Sequence, residues 1–291
     1  MSKGSRDDRR LGEEENAVMR VGFIGLGSQG APMARRIVEG GYELTLWARR
    51  PASLEPYADT AAKTAATPRE LAAASDLVCL CVVGDDDVRQ VLAGEDGVLA
   101  GLAPGGIVAI HSTVHPDTCR ELAETAGAQG VTVIDAPVSG GAPAVEAGTL
   151  MVMVGGEDAD VEKVRPVFAT YSDAIVHLGG LGSGQVAKIL NNLQFTANLG
   201  SALSTLALGD ALGIARQRLC EVLNRGSATS KAISSIAMFG GTVEGLAPIA
   251  GALLQKDVRH AASLASTASA PQGTVFTVAD TALESMDHPR S

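Results

Sequence analysis

Short apolar runs, each bounded by glycine, acid or proline, punctuate the chain as far as residue 181. VMRVGFIGLG, ELTLWA (43–48), DLVCLCVV (76–83), GGIVAIHST (105–113), VTVIDAPV (131–138), LMVMVGG (150–156) and DAIVHLG (173–179) read as strands, mostly buried. Between them, stretches at 29–39, from 85, at 116–126 and at 159–171 carry helical spacing. Asp85, Asp86 and Asp87 suit the start of the second of these as cap and solvated face. Strand and helix in alternation predict an α/β fold with a doubly wound, mainly parallel sheet over residues 19–181. Its ligand crevice should lie outside the carboxyl ends of the strands, where Val83 and Thr113 fall.

After residue 181 the strand signal stops. Residues 182–214, GSGQVAKILNNLQFTANLGSALSTLALGDALGI, contain no proline and open on Gly and Ser. They predict one interdomain helix, ~45 Å long at ~1.5 Å per residue. Its faces are largely Ala, Leu, Val and Ile, so most of it should be buried. Gly184, Lys188 and Asn192 recur every four residues and share one stripe near its start. Helical patterns follow at 216–223, 231–238, 249–266 and 272–283, so residues 182–291 read as an all-α C-terminal domain beginning near Gly182. Residues 1–18 mix both charges without an apolar core and read as a disordered extension outside the fold.

The net charge of −10 argues against nucleic acid or an anionic membrane as partner, and no charge-free apolar run is long enough to span a bilayer. Cys79, Cys81, Cys119 and Cys220 lack metal spacing. Cys79 and Cys81 would share one strand face as buried, reduced thiols, which fits a cytoplasmic protein. His111, His115, His177, His260 and His288 are scattered as well, so no metal site is expected. His111, at a strand end, reads as structural.

Gly25-Leu26-Gly27-Ser28-Gln29-Gly30 fits G-x-G-x-x-G between a strand and a helix, which points to a dinucleotide in a Rossmann-type domain. Gly25 would permit the turn, Gly27 the approach of a pyrophosphate and Gly30 close packing of helix on strand. The helix start then presents free N–H groups and a positive dipole end to the anion. About 20 residues on, where an NAD site carries an acid, stand Arg49 and Arg50. Two guanidiniums suit a 2′-phosphate, so NADP is expected, with NAD possible.

GFIGLGSQG, DAPVSGGAPAVEAGTL, GQVAKILNN and QKDVRHA occur in this order, and together they resemble the β-hydroxyacid dehydrogenase family. That group contains 3-hydroxyisobutyrate dehydrogenase and tartronate semialdehyde reductase and has an NAD(P)-binding domain of the 6-phosphogluconate dehydrogenase type. The resemblance implies that Ser139, Gly140 and Gly141 hold a small carboxylate substrate. It implies Lys188 as catalytic acid/base, Asn192 as a catalytic and substrate-binding amide, and Lys256 with Asp257 closing over the nicotinamide end. In physical terms, a Ser-Gly-Gly turn can cup an anion, and a desolvated lysine titrates nearer neutral pH. The expected reaction is hydride transfer between nicotinamide and a 3-hydroxy carboxylate or its semialdehyde. Gln29 departs from the family's methionine, and Ile249 stands where a phenylalanine near the substrate is common, which should reshape the pocket. An imine reductase and an inactive nucleotide-binding scaffold are the alternatives; Lys188 counts against both. The apolar long helix predicts packing against a second subunit, as homodimer or homotetramer.

Overall fold

The computed structural model describes residues 19–290. The extension expected at 1–18 lies outside the described residues. Six strands, β1 (Val21–Ile24), β2 (Leu44–Trp47), β3 (Lys63–Thr64), β4 (Leu77–Leu80), β5 (Ile107–Ile110) and β6 (Thr132–Asp135), form one parallel sheet in the order β3-β2-β1-β4-β5-β6. All four positions of β1, β4 and β5 are buried, because helices cover both faces. One face packs Phe23, Met33, Ile37 and Phe168, and the other packs Ile24, Leu80, Val88 and Leu122.

The remaining strands do not extend this sheet. β7 (Val138–Ser139), β8 (Met151–Val154) and β9 (Ala174–His177) form a second, mixed sheet in which β7 runs antiparallel to β8. The apolar run 131–138 breaks at Ala136-Pro137, since proline has no N–H for the ladder. Among the described residues one isolated bridge, Asp135 to Gly155, joins the two sheets.

Helices α1 (Gly30–Glu39), α2 (Pro68–Ala73), α3 (Asp85–Ala93), α4 (Pro116–Gly127), α5 (Gly141–Glu146) and α6 (Asp158–Phe168) belong to this α/β domain. The six-residue α2 and α5 are too short to show a helical period. The Asp run does not cap α3: its N-cap is Gly84, without a side-chain bond.

The long helix, α7 (Ser183–Ala211), is three residues shorter than expected at its C-terminus. Gly213, at φ +77°, ends it in a Schellman turn, with Ile214 N–H donating to Gly209 and Gly213 N–H to Asp210. Helices α8 (Arg216–Arg225), α9 (Lys231–Met238), α10 (Ala247–Thr267) and α11 (Gly273–Ser285) gather around α7 over a separate core of Leu193, Leu199, Ile236, Val258 and Leu283. The expectation that most of α7 is buried holds only for its first half. Beyond Gly200 few positions are covered, and Leu208, Leu212 and Ile214 lie open in the single chain.

The start of α7 is fixed from outside the helix. Gly182, at φ +95°, offers no side-chain cap, and Asp135 at the end of β6 takes that part. Its buried carboxylate accepts from Gly182 N–H and Gln185 N–H, each at 2.6 Å. Burial pushes this carboxyl from 3.8 up to about 6, against the pull of those N–H groups. The folded chain therefore holds a proton that the unfolded chain has released across that interval, so this group's contribution falls as pH rises through it and is constant above. Asp135→Ala should cost about 2–4 kcal/mol in urea unfolding at neutral pH by orphaning two buried donors, and should flatten the slope.

Candidate active site

The crevice begins at the turn between β1 and α1. Gly25 takes φ +105°, and a Cβ there would collide with the Cys81 carbonyl. At Gly30 a Cβ would lie 1.9 Å from the Gly25 carbonyl, so helix and strand meet only because it is absent. Gly27 has nothing within 4 Å of the Cβ position, which leaves open space beside exposed backbone. The three glycines thus have three distinct geometries, and Gly27 supplies a cradle that fits a pyrophosphate. Ser28 and Gln29 complete the turn and line the crevice on the α1 side.

Two cavities open from this turn and share Gly27, Cys81, Val82 and Val83. The first, about 350 Å³, runs over the carboxyl end of β2 between Leu26, Trp47, Arg49, Arg50 and Asp87. Both arginines reach it, but Arg49 is not free: its Nη2 donates to Asp87 Oδ1 at 2.7 Å. Cys81 corrects the expectation of a second buried thiol within the strand. It lies just beyond β4, half-buried, on the crevice wall.

The second cavity, about 310 Å³, lies between the α/β domain and the helical region. Val83, Thr113 and Val138 line it from one side and Lys188, Asn192, Leu253, Lys256 and Asp257 from the other. Burial lowers the Lys188 amine below its ordinary range, with Lys256 acting in the same direction and Asp257 opposing. Asn192 Nδ2 donates to Asp257 Oδ2 at 2.6 Å, and its carbonyl accepts from Asn191 at 3.0 Å. One N–H of Asn192 therefore stays uncommitted toward the cavity. Lys256 donates to the Thr113 carbonyl across the crevice, and its amine lies 2.9 Å from Asp257 Oδ1. Asp257 is 3% exposed, a buried carboxylate between two cavity-lining side chains.

Some expected residues serve other ends. Gly184 leaves no gap for a ligand, because its missing Cβ lets α7 press on the Met153 carbonyl of β8. Ser139 lies in β7 opposite Met151, and Gly140 and Gly141, at φ +136° and +73°, lead into α5; of that strand and turn, Val138 reaches the cavity wall. Ile249 is 68% exposed and outside the cavity lining, where Ala250, Leu253 and Leu254 form the α10 wall.

His111 is buried between Phe23, Phe168 and Tyr171. Its Nδ1 donates to the Ala136 carbonyl at 2.6 Å and its Nε2 accepts from Tyr171, with the bulk of the contacts those of a core residue. Burial drops its imidazole to about 4, so it is neutral at pH 7. Among the described residues, no group of three or more His, Cys, Asp or Glu side chains is arranged to hold a metal ion.

Three residues not foreseen as site components hold the two halves together. Gln185, fully buried on α7, accepts from Val114 N–H at 3.1 Å and donates to the Ser112 carbonyl at 2.8 Å, bracketing Thr113. Asp85 turns from α3 toward the helical region, where His260 on α10 places Nε2 3.2 Å from its carboxylate. Against its burial, the adjacent His260 ring and hydrogen bonds from Thr118 Oγ1 and the His115 N–H hold the Asp85 carboxyl well below the usual range.

The fold and crevice define a dinucleotide-binding oxidoreductase architecture, and comparison with known proteins agrees. Residues 20–179 match the NAD-binding domain of 6-phosphogluconate dehydrogenase, and 182–288 match a domain described as the NAD-binding region of NADP-dependent 3-hydroxyisobutyrate dehydrogenase. The chain is 33% identical to an NAD-dependent L-serine dehydrogenase of Pseudomonas aeruginosa, over 88% of this chain and 89% of that protein. It is also 33% identical to that organism's 3-hydroxyisobutyrate dehydrogenase, over 74% of this chain and 72% of the relative. Mycobacterium tuberculosis 3-hydroxyisobutyrate dehydrogenase, solved with L-serine, superimposes at TM-score 0.80 and 26% identity, covering 94% of this chain and 96% of that one. A Streptomyces aurantiacus imine reductase shares the fold at 20% identity and TM-score 0.64, covering 92% and 98%. The chain belongs to the β-hydroxyacid dehydrogenase family, whose members are NAD(P)-dependent oxidoreductases.

Proposed function

We propose that this protein transfers a hydride between NADP and a small 3-hydroxy carboxylate or its semialdehyde, with Lys188 as the acid/base. The observation that supports this most is a half-buried lysine, with its amine lowered by burial, on the wall of the cavity that opens from the glycine turn. When bound, the nicotinamide supplies the hydride acceptor or donor. The turn from Gly25 to Gly30 would hold the dinucleotide's pyrophosphate, and Arg49 and Arg50 would hold a 2′-phosphate. Val83 and Thr113 wall the crevice toward its reactive end, and Lys256 reaches across from α10 to the Thr113 carbonyl.

In the oxidising direction neutral Lys188 takes the hydroxyl proton as the carbonyl forms; in reduction its ammonium returns that proton to the oxygen. Burial favours the neutral amine, so both forms are accessible closer to neutrality than in a solvated lysine. Asn192 directs its remaining N–H at the substrate oxygen or carboxylate; the Ser139-Gly140-Gly141 turn lies behind Val138 rather than on the cavity wall, and its carboxylate role rests on the family resemblance alone. The apolar α10 wall of Ala250, Leu253 and Leu254 excludes water from the other side.

A panel of hydroxyacids and semialdehydes, assayed with both dinucleotides, tests the assignment. Lys188→Ala should bind cofactor normally and lose about three orders of magnitude in kcat, the span of one acid/base group. Unchanged turnover removes Lys188 from the reaction.

The working form in this reading is an oligomer in which a second copy covers the exposed half of α7. Leu208, Leu212 and Ile214 on and after α7, with Val222 on α8, make an apolar surface that a soluble monomer rarely carries. Light scattering at low micromolar concentration should give at least twice the chain mass, and a strictly monomeric mass contradicts it.

A further inference from the structure

The three consecutive acids at the head of α3 face three different environments. Asp85 binds His260 across the interlobe contact, and Asp86 extends fully into solvent. Asp87 turns into the adenosine-side cavity, where it and Arg49 line the same wall as Trp47, Arg50 and Ser53. Its carboxylate is 28% exposed and lies 2.7 Å from Arg49 Nη2, whose guanidinium is 64% exposed. The guanidinium proposed to grip a 2′-phosphate thus already has an anionic partner, held on a helix rather than on a mobile loop.

We propose that Asp87 is a cofactor-discriminating residue, whose carboxylate competes with the 2′-phosphate of NADP for Arg49 and so limits the preference for the phosphorylated dinucleotide. This rests on the reading that places the 2′-phosphate at Arg49. A phosphate arriving there must share the guanidinium with Asp87 or displace it, and it meets a like charge in either case. A dinucleotide with a free 2′-hydroxyl suffers neither effect and can donate that hydroxyl to the Asp87 carboxylate. Arg50, for which the structure shows no ion pair among the described residues, is left to favour phosphate without opposition. The enzyme is therefore built to accept both dinucleotides, with the balance set by Arg49 and Asp87 together.

The test is equilibrium binding of NADPH and NADH, followed by their own fluorescence, which requires no turnover and no knowledge of the substrate. Asp87→Asn keeps the shape and removes the charge. It should tighten NADPH binding about fivefold, the scale of one exposed charge contact, and leave NADH within about twofold. In an Arg49→Gln background the same substitution should gain less, because the group competed for is gone. Arg49→Gln alone separates the two readings. If it leaves NADPH affinity unchanged, the 2′-phosphate is not at Arg49 and the underlying assignment fails. If it weakens NADPH while Asp87→Asn leaves the NADPH-to-NADH ratio unchanged or lowers it, the 2′-phosphate assignment stands and the competition is overturned. An equal gain from Asp87→Asn with and without Arg49 also overturns it. Asp87→Ser provides the same readout should the asparagine variant fold poorly.

Discussion

A carboxylate at the end of one strand fixes where the long helix begins, and the position of the site follows from it. Asp135 closes β6 and binds two N–H groups in the opening turn of α7. Its negative charge lies at the positive end of the helix, a favourable placement that partly offsets the cost of burying it. Gln185 adds a second attachment, to the backbone on either side of Thr113. Lys188 follows Gln185 by less than one helical turn, so the helix delivers its amine to the crevice beside the carboxyl ends of β4 and β5. The crevice end and the helix start are one rigid construction.

Around that amine the charges are arranged to disagree. Lys188 and Lys256 share one cavity with a single buried carboxylate, Asp257, which binds Lys256 and Asn192. Asp257 is therefore occupied by other partners, and burial dominates the setting of Lys188. A half-buried lysine whose charge is only partly compensated keeps its neutral form within reach, which is the property a proton carrier needs. A comparable balance holds in the cavity over β2, where Asp87 pairs with Arg49.

The local signals were readable because they lie within a few residues of each other. The glycine turn, the strand rhythm, α9 at Lys231–Met238 and the spacing of Lys188 with Asn192 need no knowledge of distant chain. The TPRE segment that opens α2 also carries a readable cap, with Thr67 accepting from Glu70 N–H, though the helix is too short to announce itself by period. Asp135, Gln185 and the pairing of Asp85 with His260 could not be read this way, since each joins residues at least 47 positions apart. Distant packing also gives some singled-out residues another role. Gly184 shares the stripe with Lys188 yet packs on β8, and the acids of α3 serve three surroundings rather than one cap. The apolar composition of α7 predicts burial along the whole helix, and the single chain provides it only over the first half.

Proton transfer by a half-buried lysine at this seam is tested most directly by the pH dependence of single-turnover hydride transfer in the oxidising direction, with the best substrate of the panel. Wild-type enzyme should rise to a plateau through one ionisation below the ordinary lysine value of 10.5, and Lys188→Arg should lose that limb together with the rate. A rate that climbs through the same ionisation in the arginine variant, or one that shows no limb below 10.5 in the wild type, contradicts the assignment of the proton to Lys188.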